Sequence, residues 1–467
     1  MRIQPPRPVV DEKEPFKHAL FDRKNFGESL TALLRNVEDS LVVFVNAPWG
    51  EGKTTFAEMW RSHLRSQKLE VIYFDAYAAD YIEDPFVCFS GEILELIDKR
   101  STEIDGIEAP KREFKKTAVE VGKRLAGLAT KIALRAATMN AVDATHITDL
   151  KNIGDDVAAG VSEIGSEIIE KKIEDYVAEK DALKAFRQSL AKLAKKFREE
   201  QGFPLTIVVD ELDRCRPDFA LNLLERIKHL FDVEGVAFIL LVNRDQIESY
   251  VRAVYGEKVD ARGYLLKFGN LFVDLPSIPP AFHEGKGRRE FTQNLLTHYA
   301  FGKAAQNFEA LSRSVEMLVE HFELTLREIE KAVLTMTLYY SSSSQTEVSD
   351  DFLVALLSAL KVKNPSFYER LRRGTITAGD FFLETRLNNF AKQPSGGLSQ
   401  DYANAMIEFC LMSEAEFDKM RREHLVSSQS SPPRTLLMAE RFWRLSDRKK
   451  LIPFLCSRLE QFASVPE

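Results

Sequence analysis

The chain has 467 residues, 45% of them hydrophobic and 29% charged, enough apolar material for a sizeable core and enough length for two or three domains. A formal net charge of −7 excludes a binder that grips polyanions over its whole surface, so any nucleic-acid contact must come from a local basic patch. The four scattered cysteines, Cys88, Cys215, Cys410 and Cys456, have neither CxxC spacing nor a disulfide framework, which fits a reducing compartment.

In chain order, the segment from Met1 to Pro8 lacks an apolar signal core, and no stretch approaches the roughly 18 uninterrupted apolar residues of a membrane span. A cytoplasmic location is expected. Residues 1–20, proline-rich and charged, read as an arm with little structure. LVVFV at Leu41–Val45 is a continuous apolar run of strand length, the pattern of a strand buried on both faces, and a helix is expected from Thr54 to about Ser66. Further buried strands are expected at Glu70–Asp75, Leu205–Asp210, Val236–Val242 and Asn270–Leu275, with helices between most of them.

Residues 110–201, rich in Ala, Lys, Glu and Ile, read as a helical insertion. Its most apolar part, Ala126 to Ile147, is broken by Lys131, Arg135, Asp143 and His146, so a buried or interfacial helix is expected there rather than a membrane span. Lys115, Lys116, Lys123, Arg124, Lys131 and Arg135 make its first half basic, and Lys192, Lys195, Lys196 and Arg198 recur near its end. Beyond Pro276 the sequence is almost wholly helical, with breaks at Ser341–Ser344, Gln393–Gly397 and Ser427–Pro433. The expected division is an arm over 1–20, an α/β domain over 21–280 and a helical domain over 281–467.

After the first strand, Ala47, Pro48, Trp49, Gly50, Glu51, Gly52, Lys53 and Thr54 reproduce the Walker A spacing, with Ala47 in place of its first glycine. Consecutive backbone N–H groups from Gly50 to Lys53, with the N-terminal end of the next helix, form a concavity suited to a β-phosphate. Lys53 would reach β- and γ-phosphate oxygens, the Thr54 hydroxyl would ligate Mg²⁺ and Thr55 would contact the α-phosphate. Trp49 packs over the cradle or against the core. Glu51, repelled by phosphate, should face solvent or a basic partner.

The third strand, LTIVVD, ends at Asp210 and is followed by Glu211, the Walker B arrangement. Asp210 is the second metal candidate and Glu211 the candidate base for the attacking water. Asn243, ending the fourth strand, is either a sensor of the γ-phosphate or a turn residue. Asn243-Arg-Asp-Gln246 sets its acid one residue too early for the Asn-Lys-x-Asp of guanine readers, which favours ATP. Arg214, Arg216, Arg262, Arg288 and Arg289 are candidates for a cation against transition-state charge.

On these residues the chain resembles the KAP family of P-loop NTPases, of the additional-strand class that also holds the AAA+ proteins. The resemblance runs from about Phe21 to Leu334. It rests on the Ala47–Thr54 loop, on YFDAY at Tyr73–Tyr77, on DELDRC at Asp210–Cys215 and on YLLKF at Tyr264–Phe268. LTLREI at Leu324–Ile329 is similar to the family's helical arginine motif, which makes Arg327 a second-sensor candidate.

The resemblance implies a three-layer sandwich around a parallel sheet of order 5-1-4-3-2. It also implies an ATPase coupling nucleotide state to conformational change or assembly, with phage exclusion or defence as a role of some bacterial relatives. Many members carry membrane helices between the Walker motifs, whereas the insertion here is charged. The expected partner is a protein or a second copy, with the basic insertion as the surface a nucleic acid would use. The alternatives are a non-hydrolysing nucleotide-gated scaffold and a small-molecule kinase.

Overall fold

A computed structural model describes residues 10–81, 84–101, 103–141, 156–277, 287–299, 308–342, 350–388, 400–426, 433–441 and 448–460. Five strands form one parallel sheet: β1 (Leu41–Asn46), β2 (Ile72–Asp75), β3 (Leu205–Asp210), β4 (Val236–Val242) and β5 (Leu271–Asp274). Their order is β2-β3-β4-β1-β5, the expected 5-1-4-3-2 read from the other edge. Every residue of β3 and β4 is buried, as their unbroken apolar runs require of strands covered on both faces. Edge strands β2 and β5 are shorter than expected, four residues each.

The two faces of the sheet pack into separate apolar clusters. One gathers Phe74, Phe86, Phe89, Phe186, Phe231 and Phe238, whose rings meet largely tilted or edge to face. The other places Phe56 and Trp60, from the helix Lys53–Ser66, with Leu34 against Val43 and Ile239. A third cluster lies within the helices from Arg288 to Leu459 and includes Phe21 from the other end of the chain. The expected breaks after Ser342, at Gln393–Gly397 and over most of Ser427–Pro433 lie outside the described residues.

The N-terminal segment departs from the expectation. From Val10 onward it lies on the fold, with Phe16 buried against the His63 ring at 5.3 Å and Phe21 buried completely. Single aromatic anchors have no periodicity to read, yet burying one phenylalanine contributes about 1.5–3 kcal/mol.

The insertion is two helices, Glu108–Ala141 and Asp156–Gln201, the second of 46 residues and so about 70 Å long. Phe114, Ala118 and Val121 of the first meet Phe186, Leu190 and Phe197 of the second within the sheet's own core, so the insertion is rooted rather than tethered. Several expected basic residues are engaged locally: Lys192 with Glu113 at 2.8 Å, Arg124 with Glu120 at 2.9 Å, and Arg198 with the carbonyls of Arg35 and Val37. Lys115, Lys116 and Lys123 are exposed, while the side chains of Lys131 and Arg135 lie outside the described residues. Among the described residues no helix is long and apolar enough to cross a membrane.

Candidate functional site

Parallel strands aim their C-terminal ends at one edge of the sheet, and the candidate residues gather there. Between Asn46 and the helix beginning at Lys53, the chain turns through Gly50 (φ 88°) and Gly52 (φ 77°), conformations that favour glycine. Gly50 is further restricted by contact. Its carbonyl accepts a hydrogen bond from the Arg327 N–H at 3.2 Å, and a Cβ there would stand 2.6 Å from that of Arg327.

Lys53 lies beneath the loop, its ammonium donating to the Ala47 carbonyl at 2.9 Å and pairing with Asp213 Oδ2 at 3.2 Å. The same oxygen accepts from Trp49 Nε1 at 2.9 Å and from the Asn243 N–H at 2.7 Å, while Asp213 Oδ1, also buried, has no hydrogen-bond partner. Asp213, just after β3, thus joins the loop to the end of β4. Asn243 is placed against Asp213 rather than along the cavity wall.

Asp210 is fully buried at the end of β3. It accepts from Tyr73 Oη at 2.9 Å and from the Glu211 N–H at 2.8 Å. Burial pushes its carboxyl upward, against the pull of hydrogen bonds from Thr54, Glu211 N–H and Tyr73. Glu211, in the left-handed region at φ 60°, is raised by burial and by repulsion from Asp210, with Arg214 opposing at 2.5 Å. The Thr54 hydroxyl lies between the two acids, 3.4 Å from Glu211 Oε1. One hydroxyl and one buried carboxylate beside a phosphate cradle match a cation that keeps water and phosphate oxygens as its other ligands, as Mg²⁺ does.

Glu51 is not solvent-facing. It is 2% exposed, with Oε1 paired to Arg288 Nη2 at 3.0 Å and Oε2 buried without a hydrogen-bond partner. Arg23, in the helix Arg23–Asn36, braces the loop through the carbonyls of Glu51 and Gly52. Burial, then repulsion from Arg288, pulls its guanidinium down to about 10 despite the opposing charge of Glu51. Of the other candidate arginines, Arg216 is held by Asp80 and Arg289 by Glu316.

A cavity of about 450 Å³ opens over the loop. It is lined by Trp49, Gly50, Lys53 and Thr54 of the loop and its helix, by Glu211 and Arg214 after β3, and by Arg327 from the helix Leu326–Ser342. Leu20, Met59, Leu295 and Leu326 add apolar lining, and His18, Asn294 and Glu330 add further polar groups. Burial raises the Glu330 carboxyl, and the nearby Arg327 charge opposes that. Apart from Leu326, which lies in the Leu324–Ile329 stretch, sequence patterns singled out none of these further lining residues, because they come from four separate parts of the chain with no common spacing.

An uncharacterized protein of Methanocaldococcus jannaschii is 28% identical over 179 residues, spanning 37% of this chain and 90% of that one. The Aeropyrum pernix ORC2 protein, solved in ADPNP–ADP complexes, aligns over 95% of this chain and 94% of its own with 12% identity and a TM-score of 0.33, too distant to carry an argument. The model of the KAP family P-loop domain matches residues 23–342, more than half of the chain. A P-loop with its lysine beneath it, a buried acid ending β3 and that match together make the chain a member of the KAP family of P-loop NTPases.

Proposed function

We propose that the chain binds ATP with Mg²⁺ and hydrolyses it, and that the helical region carrying Arg327 moves with nucleotide state to engage a protein partner or a second copy. The observation that carries this reading is a cavity of about 450 Å³ lined by Lys53, Thr54 and Glu211 together with apolar side chains such as Met59 and Leu295, with Asp210 buried at the end of β3 next to Glu211. The loop N–H groups and Lys53 would hold the β- and γ-phosphates, and Glu211 would take a proton from the attacking water. Thr54 and Asp210 would hold Mg²⁺, which when bound would supply charge to offset that of the phosphates. The family resemblance suggests phage exclusion as a setting for this cycle.

Two measurements test the ligand assignments. Direct titration should show ATP binding at least about tenfold more tightly than GTP, because Asn243–Gln246 lacks the spacing of a guanine reader and is not part of the cavity's lining. Equal affinities would contradict the adenine assignment. Tyr73→Phe removes the hydroxyl that Asp210 accepts from, and should raise the Mg²⁺ needed for half-maximal ATP binding on the order of tenfold, about 1.5 kcal/mol for a hydrogen bond to a charged group. An unchanged Mg²⁺ requirement would remove Asp210 from the metal site.

A further inference from the structure

A residue in a phosphate loop contributes its backbone N–H whatever its side chain, so the Glu51 carboxylate is free for another use. It does not point to where phosphates would lie, where like charge would repel it. It turns back into the protein toward Arg288. Arg288 uses all three of its guanidinium nitrogens on different segments: Nη2 to Glu51 at 3.0 Å, Nη1 to the Ser277 carbonyl at 3.1 Å, and Nε to the Leu324 carbonyl at 2.9 Å. Those segments are the phosphate loop, the exit from β5, and the turn entering the helix Leu326–Ser342.

That turn is closed by Thr325 and Glu328, the Thr325 N–H donating to Glu328 Oε2 at 2.8 Å, and its next residue but one is Arg327. Arg23 holds the same loop through the Glu51 and Gly52 carbonyls, and the Phe21 ring meets both cations, 5.2 Å from the Arg23 guanidinium and 5.6 Å from that of Arg288. Phe21 itself belongs to the helical region's core. The loop and the helical region are therefore joined through the Glu51–Arg288 ion pair, with Glu51 buried and Arg288 partly exposed, through the buried Phe21 ring, and through the backbone hydrogen bond from the Arg327 N–H to the Gly50 carbonyl.

We propose that the Glu51–Arg288 ion pair is a strut fixing the helical region on the phosphate loop, making Glu51 and Arg288 positioning residues that set where Arg327 stands over the cavity. Its consequence for turnover rests on the proposed hydrolysis; its consequence for the arrangement of the two regions does not. Glu51→Gln keeps the loop N–H and the side chain's shape while removing the charge, so a change in it isolates the ion pair.

The test uses the full chain in a Cys88→Ser background, Cys88 being the half-buried cysteine, with spin labels at Val254 and Leu383, which are exposed on the sheet side and the helical side. Double electron–electron resonance should give one narrow distance in the parent, and a broadened or shifted distribution in both Glu51→Gln and Arg288→Ala. Distributions identical to the parent's in Glu51→Gln, the variant that conserves shape, would overturn the strut. Phosphate release is read on the same preparations without labels. Arg288→Ala should lower turnover about tenfold or more with ATP affinity changed less than about threefold, and adding Arg327→Ala should cost less than about a further twofold. Losses that multiply would overturn the link to Arg327. If the parent releases no phosphate, the hydrolysis reading fails while the distance measurement still decides the strut.

Discussion

Lys53→Ala is expected to weaken ATP binding on the order of 100-fold, about 3 kcal/mol, the upper end for hydrogen bonds made to charged groups. The variant has a second effect that follows from the structure. Lys53 is the cation paired with fully buried Asp213, whose Oδ1 already has no hydrogen-bond partner. Removing one member of a buried pair costs about 3–5 kcal/mol, so the melting temperature should fall as well. Adding Asp213→Asn neutralises the stranded charge. The double variant should recover much of the lost thermal stability in calorimetry and none of the ATP affinity. Recovery of both would mean that Lys53 acts on the fold and not on phosphate.

Glu211→Gln should do the opposite: leave ATP binding intact and lower phosphate release by about 10²–10⁴-fold, the range for loss of a general base. Glutamine keeps the size of the side chain and its contact with Thr54, so the cradle is preserved. The ion pair with Arg214 is lost, but Arg214 is 40% exposed, and such pairs contribute about 0–1 kcal/mol. A single-turnover measurement with excess enzyme separates chemistry from product release. Wild-type rates in this variant would move the base elsewhere.

The strands and the loop were legible because each obeys a local rule. β3 and β4 match their apolar runs at Leu205–Asp210 and Val236–Val242 residue for residue, since burial on both faces leaves no alternation to misread. The spacing from Gly50 to Thr54 is imposed by the turn into the next helix. What was not legible is held by pairs far apart in sequence. Arg23 reaches the carbonyl of Pro276, 253 residues away, and Arg288 reaches Glu51, 237 residues away. No window on the sequence contains both members of either pair. Glu51 shows the limit well: electrostatics alone keeps it off the phosphates, but only the fold chooses Arg288 over water as its neighbour.

The central claim is tested most directly by phosphate release from ATP and Mg²⁺ with the wild-type full chain, followed over a range of protein concentrations. The account predicts saturable release that requires Mg²⁺ and disappears in Glu211→Gln. Bound ATP recovered intact at every protein concentration would contradict hydrolysis and leave a nucleotide-gated scaffold in its place.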